Sequence, residues 1–309
     1  MTALIQRCQL WWPALRAGAN RQVAVLGLND RMAFDETWIP PQTHELGTPD
    51  GRVLRYCLYG PAAGLPVIAH HGTPGTRWER PDVIQAIEEA GLRVLLHGRP
   101  GFGSTRQPGR VVADVAEDVR LLADAQGWEQ FTVTGFSGGG PHALACAGLL
   151  PDRVIRCSTV AGIAPPDTPG LDFIGTLDWA RDASQGEDLL RPDLQRRGRE
   201  VLAEIEAGVQ GSIGRSGKPG RAERMRATCI EGLDGWIDDN LALIRPWGFD
   251  LGKIAAPLSI WYGSEDENTT REHTEWLLAN VPGAERHEYP GGHDPEDADY
   301  RRMLAWLRG

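Results

Sequence analysis

From residue 43 onward the chain alternates between two hydrophobic rhythms. Short runs rich in apolar and β-branched side chains recur between longer segments in which apolar residues return every three or four positions. The first pattern marks strands and the second marks helices. Residues 43–46 and 53–59 flank Thr48-Pro-Asp-Gly51, whose Pro-Asp-Gly is turn chemistry, so a β-hairpin is predicted there. Buried strands are predicted over 65–70, 92–96, 131–134, 153–160 and 256–262, with a last strand over 284–289. Helices are predicted over 82–90, 111–126, 142–150, 270–280 and 294–307, the first two stopped by Gly91 and Gly127. Strands alternating with helices at this spacing imply an α/β fold with a mainly parallel sheet covered on both faces. In such a sheet functional groups gather at the carboxyl ends of the strands.

The rhythm breaks between residues 162 and 251. This segment is charged and mostly helical in pattern, over 189–207 and 223–233, and it contains Trp179, Trp236 and Trp247. A glycine-rich piece, 211–220, interrupts it and reads as a mobile loop. We therefore expect three parts: an extension over 1–42, a core formed by 43–161 with 252–309, and a helical cap over 162–251. In the extension, Trp11-Trp12 is expected to pack against the fold.

Composition narrows the function classes. The chain has 309 residues and a formal net charge of −10, with no basic cluster interleaved with aromatics, which argues against nucleic acid as a partner. Its five cysteines are scattered, with no CxxC spacing, so no zinc site is expected and a reducing compartment fits. No run approaches the ~20 apolar residues that span a bilayer, and the first sixteen residues lack a secretory signal pattern. The expectation is a cytoplasmic protein without membrane contact and without a metal or other cofactor. Oligomeric state is not legible.

The chemistry concentrates in Gly135-Phe-Ser-Gly-Gly-Gly-Pro-His142. A strand ends here, a helix starts behind it, and Ser137 stands at the turn between glycines. A serine on a strained turn needs neighbours without side chains, because strand and helix pass close on both sides. Ser137 is the candidate nucleophile. A hydroxyl nucleophile needs a base within hydrogen-bond reach, and the base needs a carboxylate to fix its tautomer. His293, just past the last strand, is the candidate base, ahead of His287 and His142; Asp266, just past the strand before it, is the candidate acid, ahead of Glu265 and Asp250. Backbone N–H groups of Thr73 and Gly138 are the candidate oxyanion donors. Phe136, Trp179 and Trp236 are candidates for contact with the substrate. Acidic residues Asp234, Asp238 and Asp239 fit either an amine-binding cluster or a solvated helix face.

Together with His71-Gly-Thr-Pro-Gly75, Arg99-Pro-Gly-Phe-Gly-Ser104 and residues 234–250, these motifs make residues 43–308 resemble the α/β-hydrolase superfamily, and within it bacterial members similar to proline iminopeptidases and esterases. The resemblance implies an α/β-hydrolase fold with an inserted cap. It also implies a serine hydrolase acting on a small-molecule ester, lactone or related acyl compound. An aminopeptidase, or a non-hydrolytic cyclase, lyase or ligand-binding role in the same pocket, is the alternative. The chain departs from its relatives where they carry Asp before Arg-Pro-Gly: His97-Gly98 stands there, so a structural carboxylate near the site is expected to be missing. It departs again after Asp266, where Glu267-Asn-Thr-Thr270 replaces an apolar turn.

Overall fold

A computed structural model describes residues 40–207 and 221–309. The predicted hairpin forms from β1 (His44–Gly47) and β2 (Val53–Tyr59), closed by a turn in which the Gly51 N–H donates to the Thr48 carbonyl. Then follow β3 (Leu65–His70), α1 (Pro81–Glu89), β4 (Leu92–His97), α2 (Val115–Ala125), β5 (Phe131–Phe136), α3 (Gly140–Leu149) and β6 (Val154–Val160). After a run of helices, β7 (Leu258–Gly263), α9 (Arg271–Asn280), β8 (Glu285–Tyr289) and α10 (Asp297–Arg308) complete the chain. All eight strands join one sheet in the order β1-β2-β4-β3-β5-β6-β7-β8. β2 is antiparallel to β1 and to β4, and every other pairing is parallel.

Alternation along the strands feeds two cores. Val67, Val94 and Leu96 face α1 and α10, meeting Val83, Ile87, Leu304 and Leu307. Ile68, Leu95 and Val133 face the other way and pack with residues of α2, α3 and α9 such as Val119, Leu144 and Leu277. Each apolar neighbour pair along a central strand thus serves opposite layers, as expected of a sheet covered on both faces. α3 is buried on nearly every side, and its composition of glycine, alanine and cysteine lets it lie close to β5 and β6.

The strand order positions the site. From β3 the chain moves outward to β4, then returns across β3 to lay down β5 on the other side. The loops after β3 and β5 therefore leave the sheet side by side in opposite winding directions, the crevice at which open α/β sheets bind ligands.

Five helices separate β6 from β7: α4 (Phe173–Thr176), α5 (Asp178–Ser184), α6 (Glu187–Glu206), α7 (Arg221–Glu231) and α8 (Leu233–Leu243). The sequence pattern anticipates α6 and α7 and misses α8. Its amphipathic signal is absent because Gly235–Leu243 are all buried. On one side Trp236, Ile237 and Leu241 pack with Phe102, Leu190 and Leu194; on the other Ala242 and Leu243 join the main core. The expected loop at 211–220 and Trp11-Trp12 lie outside the described residues. Among the described residues no helix is long and apolar enough to cross a membrane.

Candidate active site

β5 runs into Ser137 with φ at +51°, one of only two such non-glycine residues among those described. A non-glycine side chain in this region is strained, and the strain is held by crowding on both sides. A Cβ at Gly135 would lie 2.1 Å from the Gly139 carbonyl oxygen, so the first glycine of the motif is required by the tightness of the turn. Ser137 itself is 9% exposed at the start of the turn leading into α3.

The loops after β7 and β8 bring Asp266 and His293 together. His293 Nδ1 lies 2.8 Å from Asp266 Oδ2, with the two side chains 4% and 2% exposed. Because the carboxylate can only accept, Nδ1 carries the proton and Nε2 is left as the basic nitrogen. Asp266 is itself oriented: Oδ1 accepts from the backbone N–H groups of Asn268 (2.8 Å) and Thr269 (3.0 Å). The unusual turn after Asp266 thus anchors the carboxylate. The Tyr289 hydroxyl donates to the His293 carbonyl at 2.8 Å, and the Phe136 ring meets the imidazole edge-on at 5.1 Å between centroids. The competing candidates sit elsewhere. Glu265 and Asp250 are exposed, His287 stacks on Trp261, and His142 Nδ1 is 2.8 Å from the Gly138 carbonyl.

Against the elbow lies the loop after β3. A Cβ on Gly138 would fall 2.4 Å from Thr73 Oγ1 and 3.3 Å from Thr73 N, so the two candidate donor peptides are adjacent and only glycine fits at 138. A Cβ on Gly72 would come within 3.5 Å of Ser137 Cβ. Of the candidate substrate contacts, Phe136 stands at the elbow. Trp179 packs edge-on against Phe173, and Trp236 is buried in the core that α8 shares with α5 and α6.

The expected absence of a structural carboxylate is corrected here. Asp239 of α8 is fully buried against Arg99, with Oδ2 2.5 Å from Nη2, and it also accepts from Arg110. Burial alone would raise its pKa, but the Arg99 and Arg110 charges outweigh that and hold Asp239 well below the ordinary carboxylate range. The solvated-face reading of the acidic cluster fails for Asp239 and for Asp238, which is 3% exposed and takes two hydrogen bonds from Arg106, and holds for Asp234, whose side chain is 46% exposed and pairs with Arg191 at 2.7 Å. The sequence carries a signal for this site, since an Arg in a glycine-proline turn and two adjacent acids within an apolar helix call for partners.

Beneath the loop lies a chain of buried histidines. His97 Nε2 is 3.2 Å from His70 Nδ1, and His70 Nε2 is 3.6 Å from Cys146 Sγ. Burial, followed by neighbouring positive charge, pushes His97 down to about 3 and holds His70, His71 and His142 well below 6.5, so all four are neutral. Among the described residues no group of three or more His, Cys, Asp or Glu is arranged to hold a metal ion.

A family model of the alpha/beta hydrolase fold matches residues 66–296. The chain belongs to the alpha/beta hydrolase fold family. Over 121 residues the chain is 34% identical to a non-heme chloroperoxidase of Streptomyces lividans, covering 38% of the chain and 44% of that protein. It spans less than half the length of the curated relatives it matches. Among solved structures, a hydrolase from Pseudomonas aeruginosa is 24% identical with a TM-score of 0.60, covering 86% of this chain and 96% of that one. A thermophilic esterase from Thermogutta terrifontis is 22% identical with a TM-score of 0.59, covering 86% and 97%. Both share the fold.

Proposed function

We propose that this protein is a cofactor-independent serine hydrolase acting on a small ester, lactone or related acyl compound. The observation that carries the reading is Ser137, strained at the end of β5, with the buried His293–Asp266 pair on the loops after β7 and β8. Ser137 Oγ adds to the substrate carbonyl carbon as His293 Nε2 takes its proton. The carbonyl electron pair moves onto oxygen, where the Thr73 and Gly138 N–H groups stabilise it. Collapse expels the alcohol, which receives the proton from His293 and leaves an acyl group on Ser137. Water deprotonated by His293 then attacks that acyl group, the acyl–Oγ bond breaks to release the acid, and His293 returns the proton to Ser137 Oγ. Asp266 keeps the proton on Nδ1 and offsets the imidazolium charge that forms at each step.

A cavity of about 470 Å³ opens beside the elbow, lined there by Gly72 and Phe136 and not by Ser137 or His293, so it adjoins the reacting groups and offers room for part of a small, partly apolar substrate. Ala69, Val83, Leu96 and Phe136 line its interior, and Arg80 and Asp294 line it with charge. We read α4–α8 as the cap, since α7 contributes Met225 and Thr228 to the same cavity. An aminopeptidase would need a carboxylate free to hold an amine. Asp239 is committed to two arginines and Asp238 to Arg106, so neither serves that role; Asp294, which lines the cavity, is the carboxylate on which the aminopeptidase stands as the second reading.

Ser137→Ala, assayed against a panel of aryl and alkyl esters, is expected to lose ~10⁴–10⁶ in kcat/KM. Hydrolysis within tenfold of the parent would sink the proposal.

A further inference from the structure

We propose that Arg99 and Asp239 are positioning residues that aim the Thr73 N–H at the oxyanion, so that the helical segment between β6 and β7 completes the oxyanion hole. This rests on the serine-hydrolase reading.

The argument starts from one peptide unit. The Gly72 carbonyl accepts from Arg99 Nη2 at 3.2 Å and from His71 Nδ1 at 2.7 Å. In a trans peptide the C=O and the N–H of the next residue point in opposite directions. Two donors that hold the Gly72 oxygen therefore turn the Thr73 N–H away from themselves. Gly138 packs directly against Thr73: a side chain there would begin 2.4 Å from Thr73 Oγ1 and 3.3 Å from Thr73 N, so the N–H so oriented has the second donor peptide beside it. A carbonyl bonded to a cation also polarises its own peptide, which strengthens the N–H as a donor.

Arg99 does more than hold one carbonyl. Its Nη1 donates to the His71 carbonyl at 2.6 Å, and its Nη2 also reaches Thr73 Oγ1 at 3.1 Å. The guanidinium is 0% exposed, and a buried cation persists only where a counter-charge and hydrogen bonds replace water. Asp239 supplies both, and its Oδ2 accepts from Thr73 Oγ1 at 2.6 Å. Thr73 is thus held by Arg99 through the preceding Gly72 carbonyl and its own Oγ1, and by Asp239 through the same hydroxyl. A lysine lacks the planar fork that serves two carbonyls and a carboxylate together.

The two partners come from different layers. Arg99 follows β4 in the sheet, whereas Asp239 lies on α8, whose Gly235 N–H donates to the Gly101 carbonyl at 3.1 Å in the loop that carries Arg99. The donor geometry therefore depends on α8 being seated.

Thr73→Val removes the hydroxyl while keeping the N–H, its shape and the Arg99–Asp239 pair. It is expected to lower kcat ~10–100-fold with KM changed less than about threefold, and Thr73→Ser to regain ~10-fold of that loss. Binding separates positioning from general stability. Affinity for an aryl trifluoromethyl ketone, which forms a tetrahedral adduct at Ser137, should fall in parallel with kcat, while affinity for the matching methyl ketone stays put. Asp239→Asn should shift the same ratio at least as far. Should Asp239→Asn fail to fold, Thr73→Val carries the measurement alone. A parental ketone ratio in Thr73→Val, with turnover still dependent on Ser137, overturns this inference and leaves the serine reading intact. Turnover that survives Ser137→Ala removes both.

Discussion

Two carboxylates flank the elbow, and they do opposite things. Asp266 binds a single imidazole and two backbone N–H groups, so in the proposed serine-hydrolase reaction a charge appearing on His293 would meet an acceptor already in place. Asp239 is saturated by Arg99, Arg110 and Thr73, all of fixed charge or none. In the proposed reaction the partner on the His293 side would carry the proton, whereas on the Thr73 side the carboxylate is held by two arginines and a hydroxyl. The difference teaches how one site combines a moving proton with a rigid donor array. In the proposed reaction the peptide that must not move, Gly72–Thr73, is the one held by a buried arginine. Neutral histidines complete the rigid side, adding ring bulk and hydrogen bonds without charge.

If the two carboxylates were interchangeable in role, their amides would behave alike. Asp266→Asn should cost ~10⁴ in kcat by leaving His293 in the wrong tautomer. It should shift the urea midpoint little, because the amide oxygen still accepts from Asn268 and Thr269. Asp239→Asn should instead destabilise the fold by about 3–5 kcal/mol, since two buried arginines lose their counter-charge. Chemical denaturation of both variants checks the contrast, and a large midpoint shift in Asp266→Asn would erase it.

The smallest effect concerns acid. His70, His71, His97 and His142 are neutral when folded and free to take a proton near pH 6.5 when unfolded. The unfolded state therefore binds more protons below pH 6.5, and stability falls as pH drops from there towards the folded value of His97, about 3. Each histidine contributes up to ~1.4 kcal/mol per pH unit within its window. Asp239, with its depressed pKa, contributes stability above the carboxyl range and loses it only as pH falls through its own lower value. His97→Gln should flatten the slope of stability against pH between 6 and 5 by about 1 kcal/mol per unit. An unchanged slope would mean that His97 takes its proton in the folded state.

Much of this architecture is legible in the order of the amino acids. Strand and helix periodicity marks the parallel core to within a few residues, because each central strand serves two cores and must be apolar along its length. The turn glycines mark the elbow, since steric crowding at Gly135 and Gly138 leaves no other residue type. Asp266 and His293 are readable because each follows a strand at a loop where this kind of sheet gathers its chemistry. The helical segment is far less so. α8 carries no amphipathic stripe, being buried between two cores, and its acids resemble a surface face.

By itself, then, the sequence determined the sheet, the serine turn and the residues standing at the strand ends, all of which follow from local sterics and short-range periodicity. Tertiary structure decided which acid meets His293, and that Asp239 closes onto Arg99 across 140 positions of chain. Nothing local encodes a pairing at that separation. It exists because α8 buries a charge where the sheet has already buried its opposite, and a desolvated arginine requires a partner wherever along the chain that partner lies.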